Sequence, residues 1–162
     1  MFNGVSEDKF GPNMKITRAM FITVLYRLEG SPEVEGDSKF GDVGAKSYYE
    51  KAVIWGEKNG IIKGIGDTKY APNNEIKREQ IAAIMHRFAN YKKVDTTVGE
   101  NTNILSYDDF SKISEYAISP IQWVVGSGIM KGKTNSTINP ADSATRAEIA
   151  TILMRFVATL KA

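Results

Sequence analysis

Apolar residues recur along the chain with one spacing in three places. Phe21, Val24, Leu25 and Leu28 make the first set, Ile81, Ile84, Met85 and Phe88 the second, and Ile149, Ile152, Leu153 and Phe156 the third. Each set reads i, i+3, i+4, i+7, which puts four side chains on one side of a helix and predicts three amphipathic helices with that side buried. A second kind of helix is expected over 47–58 and 114–127, each carrying a Trp. In the first of these, Tyr49, Ala52, Val53 and Gly56 share a face. Trp55 falls beside that face, as core rim or as a ring turned to a ligand. Ser47 and Glu50 have the spacing of a capping box. Gly60 and Gly128 stand where a left-handed residue ends a helix. Pro120 belongs in a first turn or at a bend.

The two kinds of helix sit in a repeated frame. Gly4, Gly64 and Gly132 align without gaps, and the same register aligns Phe10, Tyr70 and Ile138, then Pro12, Pro72 and Pro140. It also aligns Arg18, Arg78 and Arg146, and later Arg27, Arg87 and Arg155. Trp55 meets Trp123, and Lys63 meets Lys131. Upstream, "FGDV" at 40–43 meets "YDDF" at 107–110 with a slip of one. A full repeat is therefore an aromatic-x-Asp, a Trp helix, a glycine turn ("GIIKG", "GIMKG"), an aromatic-x-Pro loop and a second helix. The first copy lacks the front half. Polar stretches at 30–39 and 90–103 connect the copies. The expected organisation is a partial repeat over 1–30 and fuller repeats over 40–90 and 104–162. The expected class is mainly α, with a short strand or extended stretch at each glycine turn. Repeats this short must share a core, because one alone buries too little surface.

The start of the second helix holds the chemical puzzle. "ITRAM" at 16–20, "IKREQ" at 76–80 and "ATRAE" at 144–148 open the three copies. Thr145 with Glu148 forms a capping box, and Thr17 is a good N-cap. Lys77 is a poor one, although Gln80 can reach back to it. None of this explains the Arg. A cation in the first turn faces the positive end of the helix dipole and costs from a few tenths to about 1 kcal/mol. It makes sense if an anion sits there too, held by the guanidinium fork and the open amides of the helix start. That anion is either internal, for example Asp42 or Asp109, or belongs to a ligand. Arg27, Arg87 and Arg155 fall near the helix ends, where solvated capping is their expected role.

Composition narrows the remaining chemistry. A net charge of +2 with no run of Lys or Arg gives no basis for a nucleic-acid partner. No Cys is present, so disulfides and thiolate metal sites are excluded. No apolar run has transmembrane length, and "MFNGVSEDKF" does not read as a signal peptide. "GKT" at 132–134 matches the end of a phosphate-binding loop, but Ser127 stands where that loop needs its first glycine. Gly64 and Gly66 lack the third glycine of a dinucleotide fingerprint. The only His, His86, lies beside the apolar stripe, where packing or surface is the expected role. The scattered Asp residues do not make a calcium loop. "NST" at 135–137 is a short glycosylation sequon. No nucleophile stands beside a base, so no catalytic residue, metal site or cofactor is expected. A hydrolase would need paired carboxylates, and Glu50, Glu57, Asp42 and Asp109 are not patterned for it.

The repeated order resembles the S-layer homology domain. The likeness is carried by "FGDV" with the Trp55 helix, by "NGIIKGIGDTKYAPNNEIKREQIAAIMHRF" and by "SGIMKGKTNSTINPADSATRAEIATILMRF". "ITRAM" and "ATRAE" look like that family's signature. The resemblance implies three repeats in a three-pronged, pseudo-threefold helical arrangement, here with the first repeat incomplete. It implies non-covalent anchoring to the bacterial cell wall, outside the membrane, with a signal peptide upstream. The implied ligand is an anionic secondary cell wall polysaccharide, often held through a pyruvate ketal on a sugar. By position, the ketal carboxylate falls to Arg18, Arg78 and Arg146, ring contacts to Trp55 and Trp123, and groove-lining contacts to Lys63 and Lys131. On that reading Arg146→Ala weakens polymer binding and leaves the fold intact. Met20 departs from the signature Glu, and Glu79 beside Arg78 is placed to neutralise it. The incomplete first repeat leaves room for self-association. The alternative function is a protein–protein module for surface-layer assembly.

Overall fold

A computed structural model describes residues 10–97, 99, 101–134 and 136–160. Gly4 of the aligned glycines and Asn135 of the sequon lie outside the described residues. The chain folds as two compact units, Met1–Ile76 and Lys77–Ala162. The described residues are mainly helical and include no strand.

In the first unit, α1 (Arg18–Leu28) packs on α2 (Glu50–Lys58). The apolar stripe of α1 is inward as its spacing requires, with Phe21, Val24 and Leu25 buried and Leu28 at the margin. Ile22 of α1 meets α2 at Gly56. A methyl there would lie 2.8 Å from Ile22 Cδ1, so glycine sets how closely the helices cross. Tyr26 and Trp55 complete the contact, with ring centroids 5.7 Å apart. Phe40 and Tyr70, from the loops before and after α2, close the same core at 5.6 Å.

The second unit holds α3 (Arg78–Tyr91), α4 (Ile118–Gly126) and α5 (Arg146–Thr159). A 3-10 turn over Glu115–Ala117 leads into α4, and Pro120 sits in its first turn, where no intrahelical amide is missed. Here α3 packs on α4. Phe156 of α5 stands 5.5 Å from Phe88 of α3 and 6.5 Å from Trp123 of α4. The stripes of α3 and α5 are buried throughout.

In both units the Trp helix packs on the second-type helix of the preceding sequence copy. The compact body is thus offset by half a copy from the sequence repeat. Gly60 and Gly128 end their helices at φ +67° and +71°, as the left-handed terminator requires. The stretches after them form no strand, so the short strand expected there is absent among the described residues. The pairing that occurs is two isolated antiparallel bridges, Thr17 with Glu75 and Lys77 with Ser143.

One expected cap fails. The helix bearing Trp55 starts at Glu50, three residues later than Ser47, and Tyr49 is its N-cap. Lys46 takes φ +64°, and its N–H donates to Glu50 Oε2 at 2.7 Å. That hydrogen bond takes the place of the Ser47 capping box, and Ser47 Oγ is buried without a hydrogen-bond partner.

Candidate functional site

The caps at the second-type helices form as their residues dictate. Thr17 Oγ1 accepts from Met20 N at 3.2 Å. Thr145 and Glu148 exchange both capping bonds, at 2.7 and 3.3 Å. Gln80 Oε1 accepts from Lys77 N at 3.1 Å. The remaining helix-start amides of α1 and α3 are also used internally. Arg18 N and Ala19 N donate to Asn74 O and Pro72 O, both at 2.9 Å. Arg78 N and Glu79 N donate to Asp142 O and Pro140 O, at 2.9 and 3.0 Å. The expectation of open amides at the helix start is therefore corrected for the first two amides of α1 and of α3, which find internal partners. The aromatic-x-Pro loop of the following copy presents its carbonyls to them.

The arginines follow the same logic. Arg18 Nε donates to Tyr70 O at 2.8 Å and Nη2 to Lys63 O at 2.9 Å. Its guanidinium also lies over the Tyr70 ring, 4.6 Å from the centroid. Arg78 repeats the pattern, with Nε to Ile138 O at 2.9 Å and Nη2 to Lys131 O at 2.7 Å. Arg18 and Arg78 keep only 4% and 3% of their surface exposed. Both are clasps: each ties a helix start to the glycine turn and loop of the next copy. Carbonyl dipoles offset the cation at the positive helix end, and for Arg78 the carboxylates of Glu148, Asp142 and Asp109 add to them. Arg146 is likewise buried, at 7%.

Asp109, one of the aspartates expected as an internal counterion, is among the carboxylates that favour the charged Arg78, and both it and Asp42 also hold a loop. Asp42 accepts from Tyr70 N and Ala71 N at 2.8 and 2.7 Å. Asp109 accepts from Ile138 N and Asn139 N at 2.9 and 2.6 Å. Each carboxylate thus holds the loop whose carbonyl receives the arginine. Burial pushes the Asp42 carboxyl up, but amides of Tyr70, Ala71 and its own residue, with Lys69 nearby, hold it below its ordinary value. Glu79, next to Arg78, has a partner of its own. It is buried and accepts from Ser114 N at 3.1 Å.

The glycine turns need glycine for space. A Cβ on Gly64 would lie 2.3 Å from Gly66 O and 2.6 Å from Lys69 O. One on Gly132 would lie 2.6 Å from Thr137 O and 2.7 Å from Thr134 O. The turns therefore present backbone at close quarters, and their lysine side chains, Lys63 and Lys131, point to solvent.

In the second unit this arrangement borders a hollow of about 370 Å³. Arg78, Lys131, Lys133 and Arg155 line it, with Glu148 and Thr151. Cationic residues thus outnumber the carboxylates of Glu148 in the lining and Asp142 beside it. Arg78 Nη1 lies 3.8 Å from Glu148 Oε1, and Lys133 Nζ lies 2.7 Å from Asp142 Oδ2. Burial lowers the Arg78 pKa, against the pull of Glu148, Asp142 and Asp109. Burial raises the Glu148 carboxyl, but the Thr145 N–H and hydroxyl, then Lys133 and Arg78, bring it below its ordinary value. Such a hollow suits a carboxylate or phosphate on a polar ligand.

Of the site residues expected from sequence, the structure brings Arg78 and Lys131 together at this hollow, and Arg18 and Lys63 together at the matching clasp. Trp55 and Trp123 are elsewhere. They are 2% and 3% exposed and packed against Tyr26, and against His86 and Phe156. Rings so enclosed have no face left for a sugar, so their ligand-facing reading gives way to the core reading. Arg155 is the residue that sequence reasoning placed differently. Expected as a solvated cap, it stands more than a turn before the end of α5 and lines the hollow. Its spacing of seven from Glu148 puts both on one helix face, a signal available in the sequence.

The family model for the S-layer homology domain matches residues 39–82 and 106–150, together more than half of the chain. The chain is 31% identical over 150 residues to an amylopullulanase of Thermoanaerobacterium thermosulfurigenes, covering 93% of this chain and 8% of that protein. It is 31% identical over 169 residues to a surface-layer 125 kDa protein of Lysinibacillus sphaericus, covering 100% of this chain and 13% of that protein. A cellulosome-anchoring protein of Acetivibrio thermocellus is 32% identical over 127 residues, 73% of this chain and 28% of that protein. The chain thus spans a minor part of each of these relatives.

Proposed function

The chain belongs to the S-layer homology domain family, and from that premise we propose that it is a non-catalytic anchoring module for an anionic, pyruvylated secondary cell wall polysaccharide. It acts outside the cell, at the bacterial wall or surface layer. The observation that carries this reading is the hollow lined by Arg78, Lys131, Lys133 and Arg155, more cationic residues than the carboxylates of Glu148 and the neighbouring Asp142. A pyruvate ketal brings a fixed carboxylate on a compact ring, and the hollow supplies cations with room for it. Arg18 with Lys63, and Arg146, are assigned the equivalent role in their own copies. The relatives named for surface-layer and anchoring roles support the same reading, and no residue pattern supports turnover. The repeat count of three, the incomplete first repeat over 1–30 and the three-pronged, pseudo-threefold arrangement belong to the proposal. They rest on the register of Arg18, Arg78 and Arg146.

The test is a calorimetric titration with a pyruvylated monosaccharide and its non-pyruvylated counterpart, on the parent chain and on Arg155→Ala. The pyruvylated sugar binds, and its counterpart binds at least about ten-fold more weakly, the worth of roughly 1.4 kcal/mol. Arg155→Ala loses a similar factor without moving the unfolding midpoint. Equal binding of the two sugars would overturn the ketal assignment. Retention on protein-free wall sacculi, lost after mild acid removal of ketals, separates a glycan ligand from a protein partner.

A further inference from the structure

Behind the glycine turn of the second unit lies another hollow, of about 380 Å³. It shares Met130, Lys131, Gly132 and Lys133 with the cationic one, so the segment 130–133 is a ridge with a cavity on either flank. The flanks differ in chemistry. Arg78, Arg155 and Glu148 line only the first. The second adds Tyr107, Val125, Gly128 and Thr134 in their place. These offer a half-buried aromatic ring, an apolar wall, an open glycine surface and an exposed hydroxyl that is already bonded to Thr137 Oγ1 at 2.7 Å. Gly128, at φ +71°, has nothing within 4 Å of where a Cβ would stand, so the floor there is clear. The Tyr107 ring lies against Gly132, its Cε1 3.3 Å from a would-be Cβ. A ring beside a side-chain-free backbone, rimmed by polar groups, suits the flat apolar face and hydroxyl edge of a pyranose.

We propose that this second hollow is a subsite for the neutral sugar next to the acidic one, so that the polymer crosses the 130–133 ridge and is held on both flanks. The inference rests on the anchoring reading above, which assigns the carboxylate to the first flank. Arg78 and Arg155 meet the demand for cations there, whereas the residues peculiar to the second flank carry no charge. Lys131 and Lys133 lie at the crossing, where they reach hydroxyls or the glycosidic oxygen from either side.

The experiment compares a 4,6-pyruvylated methyl hexopyranoside with the disaccharide that extends it by one neutral hexopyranose. The disaccharide binds about ten-fold tighter, equivalent to roughly 1.4 kcal/mol. Tyr107→Leu removes that gain and leaves monosaccharide affinity unchanged. Amide chemical shifts supply a readout that does not depend on the variant folding: the disaccharide moves Gly128 and Thr134 beyond what the monosaccharide does. A disaccharide that binds no tighter and leaves those amides still overturns the subsite while the first-flank reading stands. If neither sugar binds, both readings fall. If Tyr107→Leu weakens the two sugars equally, the ring acts by holding the ridge, and the subsite is refuted.

Discussion

Replacing Arg78 with Ala tests whether the buried guanidinium is a clasp. The substitution removes two charge-assisted hydrogen bonds, at 2.9 and 2.7 Å, to the carbonyls of Ile138 and Lys131. Each is worth about 1.5–3 kcal/mol, because the partner oxygen is left without its donor. Against this, the variant relieves a cation at the positive end of a helix, about 0.3–1 kcal/mol, and the cost of burying its charge. The bonds outweigh the relief, and a net loss of about 2–4 kcal/mol is expected. With an ordinary urea dependence of about 2 kcal/mol per molar, the midpoint moves down by roughly 1–2 M. Urea unfolding followed by Trp fluorescence and helical circular dichroism measures it. Arg78→Lys is the informative companion. It keeps the charge but cannot present an Nε and an Nη2 to two carbonyls, so it recovers only part of the loss. An unchanged midpoint in Arg78→Ala would refute the clasp and leave ligand binding as the residue's whole role. The same reasoning means that binding lost in Arg78→Ala is not by itself proof of a ligand contact, whereas the half-buried Arg155 separates the two effects.

Two further outcomes follow from the turns and the carboxylates. Gly64→Ala drives a methyl into the carbonyls of Gly66 and Lys69 and costs roughly 2–4 kcal/mol, whereas Gly66→Ala, with nothing within 4 Å, stays within about 0.5 kcal/mol. Equal unfolding midpoints for the two would show that the turn yields freely. Asp42 and Glu148 both have folded pKa values below their ordinary ones. Their contribution is therefore complete above the unfolded values of about 4 and is lost as pH falls through the lowered folded values. The unfolding midpoint should fall gently below about 6.5, where His86 resists protonation because burial and Arg87 lower its pKa, and more steeply below about 4, and Asp42→Asn should shallow the steeper part. A midpoint that rises on acidification would contradict the assignment.

The helices were legible because their determinants are local. The i, i+3, i+4, i+7 stripe fixes which face is buried, and Ile149, Ile152, Leu153 and Phe156 are all inward. The Thr145–Glu148 box and the left-handed Gly60 and Gly128 depend on neighbours within a few positions, and both formed. The site was less legible because its partners are distant in sequence. Tyr70 O lies 52 residues from Arg18, and Ile138 O lies 60 from Arg78. Sequence spacing shows that a buried-type arginine repeats, but not that backbone carbonyls of the next copy receive it. The fate of the tryptophans was hidden for the same reason: each is covered by the second-type helix of the preceding copy. The Ser47 cap failed because the left-handed Lys46 draws Glu50 to its own amide, a choice that tertiary packing makes.

The half-copy offset has a consequence for anyone who would shuffle these segments. A graft bounded by the sequence motif, residues 40–90, would carry α2 without the α1 it rests on and α3 without α4. Two apolar seams would be torn open, and Arg78 would travel away from both oxygens it grips. Seams are kept whole by a splice between Ile76 and Lys77, where the frame of inheritance and the frame of cohesion part company.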